Sequence, residues 1–189
     1  MQWSNNWKDV MTVLVPGLVG GSDAEIIDKD YEMYRVMKQS GAREQGGKYR
    51  APLYWGGLPS TSGPSYFGSI IIFLSVLGML VFPGRLKWWI ISSIVMFTLL
   101  SLGKYLSWFQ SIFFDYLPLY NRFRAPSSIM TITAFVVPIL AGLGLNQILK
   151  KDKKSNFLRA VYIAAGITGG FSLALYIICL LYTSDAADE

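Results

Sequence analysis

Apolar residues along this chain gather into long runs separated by short polar stretches, and the spacing of those runs predicts the architecture. Residues 66–82 are almost wholly apolar and stop at Pro83-Gly84, about long enough for one helix across a bilayer. A second run covers 88–106. It opens on Trp88-Trp89, where an aromatic belt would anchor a span, and Lys104 can snorkel outward near its end. The third run, 128–149, carries Pro138 near its middle, so a kink is expected. The fourth covers 158–178 and contains Gly166 and Gly170, a G-x-x-x-G spacing that permits close helix approach within a larger bundle.

The first 65 residues are different in kind: polar, aromatic and rich in turn residues, with no run long enough to span. Residues 10–19 are interrupted by Pro16-Gly17 and read as an extended or interfacial segment. Gly20 to Asp23 offers a turn and N-cap chemistry, and Ile27, Tyr31 and Tyr34 then fall at helical spacing, predicting a short surface helix over 24–39 that Ser40-Gly41 ends. Prolines between Pro52 and Pro64 predict an ordered loop in which Tyr54 and Trp55 have something to bury. The expected fold class is all-α: a polytopic membrane protein fragment with a transmembrane region of four spans over 66–178 and an N-terminal extracytoplasmic segment over 1–65.

Composition agrees with the pattern. The chain has 189 residues, 52% hydrophobic and 15% charged, with a mean hydropathy of +0.38, which makes the bilayer its solvent. One cysteine and no histidine exclude an internal disulfide, a His-based metal site and Ser-His-Asp or Cys-His catalysis. The net charge of +5 matters less than its location. Arg85 and Lys87 form one basic turn, and Lys150, Lys151, Lys153 and Lys154 form another. With four alternating spans both turns fall on one side, which the positive-inside rule makes cytoplasmic. Segments 83–87 and 150–157 are then cytoplasmic, and 1–65 and 107–127 extracytoplasmic. No basic groove suited to nucleic acid is visible, and the lipid bilayer is the expected partner. Residues 179–189, Cys-Leu-Leu-Tyr-Thr-Ser-Asp-Ala-Ala-Asp-Glu, resemble one reading frame of a transposase-based sequencing adapter and are read as a non-native tail.

Several short motifs carry a resemblance. Gln2-Trp3-Ser4, the stretch from Pro16 to Gly21, Tyr54-Trp55-Gly56 with Pro59 and Thr61-Ser62-Gly63-Pro64, Lys87-Trp88-Trp89, and Tyr120-Asn121-Arg122-Phe123-Arg124-Ala125 together resemble the YfhO-type bacterial multispanning membrane proteins. The resemblance implies a longer parent whose remaining transmembrane helices would pack around this piece, a place in the bacterial cytoplasmic membrane, and kinship with lipid-linked sugar transferases of the GT-C type. Those enzymes use a polyprenyl-phosphate sugar on the outer face, and their catalytic acid belongs to a first outer loop that this fragment does not contain. Where the pattern expects an acidic residue after Tyr-Trp-Gly, this chain has Gly57, and Leu58 also departs from it.

Sugar transfer from a lipid phosphate needs a base near the acceptor hydroxyl and cations on the leaving phosphate. In the polar island between the second and third runs, Asp115 is the candidate base and Arg122 and Arg124 are candidate phosphate ligands, with Tyr120 and Asn121 beside them. The plainer alternative pairs Asp115 with an arginine inside an interfacial aromatic belt. Tyr54 and Trp55 are candidate sugar-stacking residues, or simply the means by which the loop docks on its own bundle. Asp28-Lys29-Asp30 has a D-x-D spacing, but Asp-Lys alternation on a surface helix is usually a solvated face, so no metal site and no cofactor are expected. Three functions fit these residues: a membrane glycosyltransferase or its accessory part, a transporter or flippase-like module hinged at Pro138, and a scaffold with no catalytic residues of its own. The absence of charge near the centre of any run weighs against transport.

Overall fold

A computed structural model describes residues 3–29, 32–41, 46–61, 63, 65–118, 120–122, 124–149 and 157–185, apart from the side chains of Glu32, Asn121 and 180–185. In chain order the elements are α1 (Trp7–Met11), β1 (Glu25–Ile27), α2 (Glu32–Gln39), β2 (Tyr49–Ala51), α3 (Ser69–Val81), α4 (Leu86–Ser101), α5 (Ser107–Tyr116), α6 (Met130–Leu149) and α7 (Phe157–Asp185). Three 3₁₀ turns, Gly103–Leu106, Tyr120–Arg122 and Pro126–Ile129, join the helices between α4 and α6.

The described residues before α3 form a cap. β1 and β2 pair antiparallel with Ile27 opposite Tyr49, and backbone bonds Gly21 N to Leu53 O (3.1 Å), Leu53 N to Ser22 O (2.9 Å) and Trp55 N to Val19 O (3.1 Å) extend the ribbon toward α1. Ile27, Tyr49 and Ala51 are buried together, with Tyr34 and Met37 of α2 packed over them. The continuous helix expected over 24–39 is therefore not formed over 24–29. Residues 25–27 are a strand, because antiparallel pairing with 49–51 buries Ile27 opposite Tyr49 while Glu25 and Ile26 stay exposed. Helix begins only at Glu32.

Two helices, Pro126–Leu149 and Phe157–Cys179, are long and apolar enough to cross a membrane. The second predicted run divides instead of continuing: α4 stops at Ser101, and the helical segment from Gly103 to Tyr116 leaves at 107° to it. Counted as one broken span, that pair makes a third. Helix α3 has 13 residues, about 20 Å of helix against a hydrocarbon core of about 30 Å. Large apolar side chains point away from the bundle, among them Ile70 and Trp89 at 74% exposure and Phe135 at 72%, an arrangement suited to a hydrocarbon surround and costly in water.

The bundle is centred on α6, which packs against both α3 and α4 and runs through Pro138 as one helical element. Its closest crossing is glycine on glycine. A side chain at Gly144 would place its Cβ 2.6 Å from the Gly78 Cα and 3.0 Å from the Leu74 carbonyl oxygen, and one at Gly78 would strike the Leu140 carbonyl. Ser75 donates to the Val137 carbonyl (2.8 Å) at the same interface, next to Pro138. The G-x-x-x-G of the fourth run makes no such approach: neither Gly166 nor Gly170 has another described atom within 4 Å of an added Cβ. Close packing falls at Gly78 and Gly144, whose partners are on different helices and leave no pattern within one run.

Gly144→Leu should therefore separate α3 from α6 and destabilise the protein by about 1–3 kcal/mol, whereas Gly166→Leu should be close to neutral. Thermal unfolding of both variants in detergent checks this, and equal midpoints would contradict the crossing.

Candidate functional site

Among the described residues the carboxylate of Asp9, 4% exposed, is bonded from several sides. Asn6 caps α1, its side chain accepting from the Trp7 amide (2.7 Å). Asp9 closes the capping box by accepting from the Asn6 amide at Oδ2 (2.7 Å). The same carboxylate then leaves the helix. Oδ2 also accepts from the Gly57 amide (3.0 Å), and Oδ1 accepts from the Tyr54 hydroxyl (2.7 Å). That hydroxyl accepts in turn from the Leu58 amide (3.0 Å). Gly56 is fixed by this geometry, since an added Cβ would collide with the Asp9 carboxylate and the Tyr54 hydroxyl. Gly57 is fixed likewise by Asn6 and the Tyr105 hydroxyl, 2.7 and 2.9 Å from an added Cβ. Asp9 thus brings a carboxylate to the Tyr-Trp-Gly loop from a distant part of the chain.

Burial raises the pKa of Tyr54 above its ordinary value of 10.0, and the adjacent Asp9 carboxylate pushes the same way, with the Leu58 amide opposing. The phenol is thereby held as a donor. Trp55 faces outward, 53% exposed, with the Lys8 ammonium 5.5 Å from its ring centroid.

The cap is tied to the helix ends by the residues before α1. The Asn5 amide donates to the Ser101 carbonyl (3.1 Å), the Lys104 amide to the Ser4 hydroxyl (3.1 Å), and the Ser127 amide to the Trp3 carbonyl (3.1 Å). Gly103, at φ +46°, turns the chain here and has no room for a side chain beside Ser4 and Pro126. The segment from Trp3 to Asn5 therefore lies between the end of α4 and the start of α6, on the same end of the bundle as the polar island.

In that island, Tyr120 is the organised residue. Gln110 of α5, 3% exposed, donates to the Leu100 carbonyl (2.6 Å) and accepts from the Tyr120 hydroxyl (2.7 Å). This chain of bonds holds the 107° bend closed. The Tyr120 ring packs edge-on against Phe114 (5.7 Å) and beside Phe113 (5.9 Å), and burial raises its pKa, with the Gln110 bond opposing. Asp115, Arg122 and Arg124 are exposed, and neither arginine pairs with Asp115. Asn121 lies in the 3₁₀ turn with its side chain outside the described residues. A cleft of about 330 Å³ beside the bend is lined by Gly103, Lys104, Ser107, Gln110, Ser111 and Phe114.

The sequence-predicted residues thus fall into two sets at one end of the bundle, Tyr54 and Trp55 in the cap and Tyr120, Arg122 and Arg124 in the island. Asp9 and Gln110 were missed. The first had a local signal in the Asn6-x-x-Asp9 capping spacing, and the second stands out as a lone amide in an aromatic run. Asp28 pairs with Lys48 (3.1 Å) on the surface, and Asp30, the other half of the D-x-D, lies outside the described residues. Among the described residues no cluster of three or more His, Cys, Asp or Glu side chains forms. No family model, curated protein or solved structure matches the chain.

Because Tyr54 has a folded-state pKa above its unfolded value, its contribution is fully present below pH 10 and is lost as pH rises through the shifted value. Tryptophan fluorescence of the cap should report loosening above about pH 10. Tyr54→Phe should remove that transition and cost about 1–3 kcal/mol, since Asp9 Oδ1 loses its donor. An unchanged alkaline transition in the variant would contradict the network.

Proposed function

We propose that this chain is part of a multi-pass protein of the bacterial cytoplasmic membrane that handles a polyprenyl-phosphate sugar on the outer face, as a glycosyltransferase or its accessory part. In this reading α3, α4, α6 and α7 are the four spans. The cap and segment 107–127 are extracytoplasmic, and the basic turns at 83–87 and 150–157 are cytoplasmic. The observation that carries the reading is the docking of Trp3, Ser4 and Asn5 onto Ser127, Lys104 and Ser101. It puts exposed Trp55 and exposed Arg122 and Arg124 on one end of the bundle, with an aromatic face suited to a pyranose ring and guanidinium forks suited to phosphate. Asp115 is exposed near the end of α5 and unpaired among the described residues, so the reading rests on the arginines. The YfhO-type resemblance supports the same outer-face chemistry.

One observation favours transport instead. The helix broken at Gly103, with a cleft beside it, is the kind of discontinuity that transporters use at their binding sites.

In the intact membrane protein, Arg122→Ala with Arg124→Ala should lower sugar transfer from a polyprenyl-phosphate donor by about a hundredfold or more while leaving the protein inserted. Transfer at the wild-type rate would make both arginines structural and take sugar chemistry away from this end.

A further inference from the structure

The segment from Gly103 to Tyr116, which contains α5, leaves α4 at 107°, so with α4 across the bilayer α5 lies close to the plane of the membrane surface. Only one side of α5 is taken up by the protein. Gln110 is buried and Phe113 and Phe114 are partly covered, and the rotation of the helix about its axis is fixed there, because Gln110 donates to the Leu100 carbonyl and accepts from the Tyr120 hydroxyl. Two stripes remain outside. Ser107, Ser111 and Asp115 recur four residues apart and are exposed. Trp108, Ile112 and Tyr116 recur at the same spacing, about 100° further round the axis, and are 66%, 47% and 83% exposed with no charge among them. We propose that α5 is an interfacial helix, with the stripe of Trp108, Ile112 and Tyr116 set into the boundary between headgroups and acyl chains of the outer leaflet. This surface rests on the membrane reading above.

Three observations make the bilayer the occupant. The line between the polar and apolar stripes runs parallel to the helix axis, as a flat boundary between water and hydrocarbon requires of a helix lying along it. Full immersion would carry Ser107, Ser111 and Asp115 into hydrocarbon, and full exposure would leave the apolar stripe in water. Proximity comes next: only the turn Gly103–Leu106 separates α5 from α4, about 8 Å of 3₁₀ helix, so the hydrocarbon around a spanning α4 is an apolar surface within reach of α5. Residue chemistry agrees with both. Trp108 and Tyr116, at the two ends of the stripe, are rings with one polar tip, which settle at headgroup level, and the aliphatic Ile112 lies between them. Trp108 is held edge-on to Phe109 (5.7 Å), and Phe109 against Phe113 (5.2 Å), so its ring is braced from the bundle side. The cleft at the bend takes Ser107, Gln110, Ser111 and Phe114 from α5, none of them in the apolar stripe, and embedding that stripe leaves the cleft open.

The test places single cysteines in the intact protein, Ser107→Cys, Ser111→Cys, Ile112→Cys or Tyr116→Cys, with Cys179→Ser and no other cysteine. Each carries an environment-sensitive fluorophore in vesicles of phosphatidylethanolamine and phosphatidylglycerol. Quenchers are aqueous iodide and phospholipid bearing a nitroxide near the head or near the end of its acyl chain. Labels at 112 and 116 should be quenched by the head-proximal nitroxide about threefold more than labels at 107 and 111, and iodide should act in the reverse order, as for an apolar face about 5–10 Å into the headgroup boundary. Tyr116 is the most exposed of the three stripe residues, so its variant keeps the inference open to refutation if Ile112→Cys fails to fold. Equal access of iodide to all four positions would mean that α5 stands off the bilayer and would overturn the inference. So would shielding of 112 and 116 from iodide and nitroxide alike, which would mean a protein cover, or strongest quenching there by the chain-end nitroxide, which would mean that α5 spans. Release of the protein from the vesicles by alkaline carbonate would instead overturn the membrane reading on which the inference rests.

Discussion

A buried carboxylate must be saturated with donors or it destabilises whatever buries it, and Asp9 meets that demand with three donors from two parts of the chain. Its own helix supplies the Asn6 amide, and the loop ahead of α3 supplies the Gly57 amide and the Tyr54 hydroxyl. Each bond to a charged acceptor is worth about 1.5–3 kcal/mol, and the geometry is intolerant of alteration. Gly56 and Gly57 have no space for side chains because this carboxylate, Asn6, Tyr54 and Tyr105 fill it. Short as it is, α1 is therefore clamped to a loop that lies 45 and 48 residues on.

The clamp has a consequence for the helices. With α1 fixed, Trp3 to Asn5 emerge directly over the end of α4 and the start of α6, where their backbone and the Ser4 hydroxyl bond to Ser101, Lys104 and Ser127. The same end carries the 107° turn into α5, which Gln110 braces against the Leu100 carbonyl and Tyr120 braces against Gln110. Deeper in the bundle the packing is of another sort: Gly78 against Gly144 brings two backbones together, and Ser75 adds a bond to the Val137 carbonyl. Polar specificity sits at one end, and close backbone packing holds the rest.

The parts legible in the sequence were those that depend on neighbours in the chain. Apolar runs announced helices at 69–81, 86–101, 130–149 and 157–185 because hydrophobicity over twenty residues is a local sum. It does not report a break, so α4 was expected to reach 106; Gly103, with its positive φ and its contact to Ser4, is what stops it. The strand at Glu25–Ile27 was hidden behind a plausible helical spacing, since its stability comes from Tyr49 and Ala51 across the ribbon. Tyr54 and Trp55 stood out by residue type, and Tyr120, Arg122 and Arg124 by their place between apolar runs. Asp9 drew no attention because its partners are remote, and a carboxylate in a short polar helix usually reads as solvated.

The central claim is that Asp9 holds the cap together and, through it, holds the cap to the bundle. Hydrogen exchange of the Asp9→Asn variant, followed peptide by peptide, tests it most directly. Asn keeps the size of the side chain but turns one acceptor oxygen into an NH2 donor, so the bonds made at that position are lost. The account predicts faster exchange at the Asn6, Gly57 and Leu58 amides, and at Asn5, Lys104 and Ser127, while the α3 and α6 amides near Gly78 and Gly144 keep their protection. Unchanged exchange at 56–58, or loss spread evenly over the bundle, would contradict it.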